Sequence, residues 1–223
     1  MTLRWSGVAA RVACLLAGCL AQVHAQPVEL MLTLETSPGT EQAIGLLNPR
    51  LLQKGDRAGV IGFNGRAVRV LQPLTDDREA LWSALQRAGV RVGVAVGGAQ
   101  IDSTWTVDLA AAIQGACEEL RRSDLNESRR AVVVLFGTED RELGSHLAVA
   151  KTALNAAHAR LYGVAINRSV AERASPPGRP DRTLHPFPAL TAQLMSELAE
   201  HSGGRIFRGA WDLKEILKEL RKP

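Results

Sequence analysis

Apolar positions along the chain fall into two rhythms that alternate. Val28-Glu-Leu-Met-Leu-Thr-Leu34 is a run of β-permissive residues ending at Glu35, and it predicts a strand. A loop, Thr36–Thr40, follows. Ala43, Ile44, Leu47 and Leu51 then recur at helical spacing and predict a helix over 41–52, with Pro49 expected to kink or shorten it. After the Lys54-Gly-Asp56 turn, Ala58–Phe63 is apolar throughout, and Arg66–Leu71 alternates polar with apolar. Asn64-Gly65 between them is a strong short-range hairpin signal, so these two strands are expected to pair antiparallel. Thr75-Asp-Asp-Arg78 has the composition of a helix cap before Leu81, Trp82 and Leu85 on one face of 79–88. Val90–Gln100, rich in valine and glycine, reads either as a short strand or as a packed loop.

The second half repeats the alternation. Thr104–Arg122 predicts a helix with the stripe Leu109, Ile113, Ala116, Cys117 and Leu120. Ala131–Phe136 is a continuous apolar run, expected for a strand buried on both faces. Ser145–His158 reads as a helix and Arg160–Ile166 as a strand. Asn167–Pro188 contains five prolines and four arginines and reads as an irregular loop. Ala189–His201 is a helix stopped by Ser202-Gly-Gly204, Arg205–Arg208 a short strand, and Asp212 opens a last helix through Leu213, Ile216, Leu217 and Leu220. Strands alternating with helices predict an α/β fold: a three-layer α/β/α sandwich around a doubly wound, mostly parallel sheet with one antiparallel edge strand. Ligands in such folds bind beyond the C-terminal ends of the strands. Here that edge is built from Glu35–Thr40, Ala99–Thr106 and Gly137–Ser145.

The first 25 residues do not belong to this pattern. Arg4 and Arg11 precede the apolar stretch Val12–Val23, and Val23-His-Ala25 offers small residues for cleavage before Gln26. The segment reads as a signal peptide, too short to remain as a spanning helix. Within it, Leu16-Ala-Gly-Cys19 resembles a lipobox, so Cys19 is a candidate for lipidation that would hold the chain on a membrane face. Domain boundaries are therefore 1–25 for the leader and 26–223 for one domain. Beyond the leader Cys117 is the only cysteine, which excludes an internal disulfide. The net charge is +4, and Arg4 and Arg11 account for two of those charges with no acid in the leader, so the remainder is +2. That balance, with one tyrosine and four phenylalanines, gives no reason to expect a nucleic-acid partner.

The order of elements and several local motifs resemble the von Willebrand factor type A domain. The motifs are Glu35-Thr-Ser37-Pro-Gly39, Gly55-Asp-Arg-Ala-Gly-Val-Ile-Gly-Phe63, Leu71-Gln-Pro-Leu-Thr-Asp-Asp77, Val132-Val-Val-Leu-Phe136 with Glu139-Asp140, and Leu198-Ala-Glu-His-Ser-Gly-Gly-Arg-Ile-Phe207. The resemblance covers about residues 28–221 and is strongest to an exported bacterial subset of the family. It implies a metal-ion-dependent adhesion site: Asp-x-Ser-x-Ser after the first strand, a threonine before the third helix and an aspartate after the fourth strand. Magnesium held there keeps one position open for a partner's carboxylate, as suits a hard octahedral ion. In this chain the motif is degenerate. Glu35 stands for the aspartate and Ser37 matches the first serine, but Gly39 replaces the second. Thr104 matches the threonine by its distance to Asp108, although Gly97-Gly98 offers a competing register with Ala99 in that place. Gly137 falls where the last aspartate is expected, with Glu139 and Asp140 just beyond. Two readings follow. Either Glu139 or Asp140 substitutes in a remodelled metal site, or Glu35, Ser37 and Thr104 serve backbone groups of the loops.

No other constellation carries chemistry. The five histidines do not pair at ligand spacing, and Gly93–Gly98 lacks the lysine of a phosphate loop. The expectation is an exported, non-enzymatic module that binds a protein partner in the cell envelope, with no cofactor and weak or no magnesium binding. The alternatives are a metal-dependent hydrolase using Glu35, Glu139 and Asp140, or a purely structural envelope protein.

Overall fold

A computed structural model describes residues 26–36, 43–64, 67–95, 108–125, 128–166, 188–207 and 212–222, with side chains left out for 89–95. The leader with Cys19, the candidates Ser37, Gly39, Ala99 and Thr104, and most of the proline-rich loop lie outside the described residues. Six strands form one sheet: β1 (Val28–Glu35), β2 (Arg57–Asn64), β3 (Ala67–Thr75), β4 (Arg129–Phe136), β5 (Ala159–Ala165) and β6 (Arg205–Phe207). Their spatial order is β3-β2-β1-β4-β5-β6. All neighbours are parallel except β2 and β3, which form the expected antiparallel hairpin through Asn64 opposite Ala67. The helices are α1 (Arg78–Ala95), α2 (Leu109–Arg121), α3 (Leu143–Ala157), α4 (Ala189–Ser202) and α5 (Leu213–Leu220).

The period of two along each strand divides the core. Leu30, Leu32 and Leu34 of β1 and Ala131, Val133 and Leu135 of β4 face a layer made of residues 43–52, α1 and α5. Met31, Val132, Val134 and Phe136 face α2, α3 and α4. Thus β4, between β1 and β5, is buried on both faces, which is why its sequence is a continuous apolar run. Cys117 lies in the α2 layer at 1% exposure, and burial pushes its thiol up to about 12, so it packs as a small apolar group.

Four elements differ from expectation. A helix does not continue to Leu52. Beyond Ile44 the chain turns through Leu46 N–H to Ala43 O and Leu47 N–H to Ile44 O, then enters a 3-10 turn at Pro49–Leu51. Pro49 has no N–H to give and pushes Asn48 into the extended region (φ −84°, ψ 107°), where the Asn48 side chain caps Arg50 N–H. β3 runs on to Thr75, past Leu71, with Pro73 tolerated because the strand is an edge. Val90–Ala95 is neither strand nor loop but the continuation of α1, since elongating an anchored helix is easier than starting a new element. That anchor is Asp77, whose carboxylate accepts from Glu79 and Ala80 N–H. Finally α2 begins at Leu109 rather than Thr104, because Asp108 takes Ala111 N–H at 2.8 Å and sets the N-terminus there.

Gly203 ends α4 in the left-handed region (φ 76°), and Gly204 passes so close to β5 that an added Cβ would lie 1.9 Å from Leu161 O. Among the described residues no helix is long and apolar enough to cross a membrane.

Candidate functional site

Parallel strands and antiparallel-running helices bring the end of β1, the loop after β4 and the N-termini of α2, α3 and α4 to one edge of the sheet. Glu35 is the last residue of β1 and is 2% exposed. Its Oε2 accepts from the backbone N–H of Gly137 at 2.7 Å and of Thr138 at 3.2 Å, and Thr138 Oγ1 donates to Oε1. The longer side chain of glutamate spans from β1 to the loop that leaves β4. Next to it, Thr36 donates twice to Phe63 O, from N–H at 2.8 Å and from Oγ1 at 3.1 Å, tying the chain to β2.

Asp140 is likewise buried, at 2% exposure. One oxygen accepts from Glu142 and Leu143 N–H, both at 2.9 Å, at the start of α3. The other accepts from Leu109 N–H at 3.0 Å, at the start of α2. A single carboxylate thus joins two helix N-termini, where unpaired amides and the helix dipole favour negative charge. Burial raises the Asp140 carboxyl above its ordinary range; the three amides pull the other way, and the nearby charge of Asp108 raises it further.

Glu139 points to a third helix. Its carboxylate accepts from Leu190 N–H at 3.2 Å, Thr191 N–H at 3.0 Å and Thr191 Oγ1 at 2.7 Å. Thr191, fully buried, also accepts from Asp140 N–H at 2.7 Å. The loop Gly137–Asp140 is therefore stapled to β1, α2, α3 and α4 at once.

Glu35, Glu139 and Asp140 lie on the same edge, but each is engaged by a different set of backbone amides. Among the described residues, no three His, Cys, Asp or Glu side chains form a group that could hold a metal ion. Ser37 and Thr104, whose hydroxyls the resemblance implies at a magnesium site, lie outside the described residues. Gly137, where the resemblance implies an aspartate, contributes its amide as the donor to Glu35. Thr138 and Thr191 are not among the candidates from sequence. Asp140 reaches the helix start locally, through Leu143 N–H three residues on, but nothing local marks Thr191 as its partner.

No protein-family model matches the chain, and no curated protein matches it in sequence. Solved structures do match in fold. An aerotolerance-related membrane protein from Bacteroides fragilis shares 19% identity at a TM-score of 0.58, over 86% of this chain and 96% of that one. The SpRpn10 VWA domain shares 13% identity at 0.54, over 86% and 95%. The N-terminal domain of TFIIH p34 shares 10% identity at 0.55, over 88% and 97%. The fold is thus that of a von Willebrand factor type A-like domain.

Proposed function

We propose that this protein, with its von Willebrand factor type A-like fold, is a non-enzymatic interaction module that recognises a protein partner through the C-terminal edge of its sheet. The observation that carries this reading is the engagement of Glu35, Asp140 and Glu139 by backbone amides. Carboxylates that would otherwise be drawn to a metal here hold the loop after β4 against β1 and three helix N-termini. A surface held in this way loses little freedom when a partner docks, which favours recognition without a metal bridge. Its place is the cell envelope. That follows from the leader with its Arg4 and Arg11, apolar stretch and Cys19, and it agrees with the fold shared with an aerotolerance-related membrane protein.

The test has two arms. Calorimetric titration with magnesium and manganese is expected to give no heat at millimolar metal. A micromolar dissociation constant abolished by Glu35→Ala, in a variant that still melts cooperatively, would overturn the metal-free reading. In the second arm, partners captured from an envelope fraction should be lost when the exposed Arg141 is changed to glutamate. Hydrolysis of phosphate or carboxylate esters by the wild type, lost in Glu139→Gln, would instead place the protein among enzymes.

A further inference from the structure

A basic groove runs along α5, away from the recognition edge. Leu51 and the residues Lys214, Leu217, Lys218, Arg221 and Lys222 enclose about 450 Å³. Lys214 and Lys218, four apart, share one face of α5, and Arg221 and Lys222 follow directly at its C-terminal end, while Leu213, Ile216, Leu217 and Leu220 are buried beneath. The acids of the same helix are engaged elsewhere: Glu215 and Glu219 both pair with Arg205 of β6, at 3.7 and 2.8 Å. Arg221 reaches inward to the buried Asp56. Lys214, Lys218 and Lys222 are exposed and make no ion pair among the described residues, and no acid lines the groove.

The stripe ends beside the N-terminal entry to the sheet. Arg129 donates from Nε to Gln26 Oε1 at 3.0 Å and from Nη1 to the carbonyls of Leu220, at 2.6 Å, and Lys222. One guanidinium therefore holds the end of the basic stripe beside the residue at which the apolar leading segment joins the fold. Glu35 is at the other end of β1, about 23 Å away at 3.3 Å per strand residue.

We propose that the α5 groove is the face by which the protein lies on an anionic phospholipid bilayer, with Lys214, Lys218 and Lys222 at the level of the lipid phosphates. Lysines clustered within a Debye length of an anionic leaflet are attracted to it. The stripe is short, about 12 Å for an eight-residue helix, and no aromatic side chain lines the groove, so it offers no track for a polynucleotide. With Cys19 lipidated, only residues 20–25 separate the acyl anchor from Gln26, which matches a membrane as occupant. The surface is independent of the recognition loops, and either proposal can fail alone.

The test is co-sedimentation of the full chain, and of the chain from Gln26 onward, with vesicles of phosphatidylcholine alone or mixed equally with phosphatidylglycerol. Every strand and helix described lies after Pro27. The mixed vesicles are expected to bind at least about tenfold more tightly, with the difference reduced by salt. Lys214→Glu with Lys218→Glu and Lys222→Glu should remove the preference, and the glutamine versions should weaken it, both with unchanged circular dichroism. Arg69→Glu with Arg121→Glu, outside the groove, should retain it. Equal binding to the two vesicles, or a preference that survives the triple change, overturns the proposal. So does binding of polyglutamate or an oligonucleotide as tight as that of the mixed vesicles, which would assign the groove to a soluble polyanion.

Discussion

Arg130→Met should cost a large part of the protein's stability, because it abandons a buried carboxylate. Glu29, the second residue of β1, is fully buried. Arg130 Nε lies 3.2 Å from Glu29 Oε2, and the arginine side chain is only 14% exposed. Ser128 Oγ donates to the same oxygen at 2.6 Å, and Ser123 Oγ to the other. The guanidinium also donates to Leu125 O at 3.0 Å and Ala157 O at 3.5 Å, linking β4 to the loop before it and to the end of α3. Methionine keeps most of the stem but leaves Glu29 charged with only two hydroxyl donors. Removing one partner of a buried pair costs about 3–5 kcal/mol, against a typical total of about 5–15 kcal/mol. With a urea slope of about 2 kcal/mol/M, the unfolding midpoint should fall by about 2 M. The assay is urea unfolding followed by circular dichroism for wild type, Arg130→Met, Glu29→Gln and the double variant. The amide introduced by Glu29→Gln is neutral and can still accept from the serines, so the double variant should lose less than the two single losses combined, by about 1 kcal/mol or more. A midpoint for Arg130→Met within about 0.5 M of wild type, or strict additivity, would refute the argument.

Three further outcomes follow from packing. Val133→Asp puts an unpaired carboxylate in the fully buried centre of β4 and should cost several kcal/mol; a melting temperature within a few degrees of wild type would contradict the placement. Thr33 is fully buried with no hydrogen-bond partner for Oγ1 among the described residues, so Thr33→Val should stabilise by about 1 kcal/mol, or about 2–4 °C in a thermal melt; a lower melting temperature would reveal a missed partner. Gly204→Ala sets a Cβ against the Leu161 carbonyl and should cost at least about 1–3 kcal/mol, whereas Gly144→Ala, where the nearest atom is 3.8 Å from the new Cβ, should be neutral or better in the same melt.

Much of the architecture is local and so was legible along the chain. The uninterrupted run Ala131–Phe136 already implies burial on both faces, Asn64-Gly65 implies a hairpin, and Asp212 and Gly203 mark where helices start and stop. These signals act between near neighbours in the chain, through backbone sterics, capping and periodicity. The limits of helices were less legible, because propensity is weak beside propagation: α1 ran through a stretch of valine and glycine, and α2 starts at Leu109 under the Asp108 cap. What the carboxylates do was decided by tertiary structure alone. Glu35 meets Gly137 and Thr138 across more than 100 residues, Asp140 meets Leu109 across 31, and Glu139 meets Thr191 across 52. Sequence marks Glu35 as a near match to a metal ligand; only the adjacency of β1 and β4 puts amides within its reach. A buried charge takes whatever donors the fold supplies, and which donors those are depends on strand order and helix placement, which no local pattern encodes.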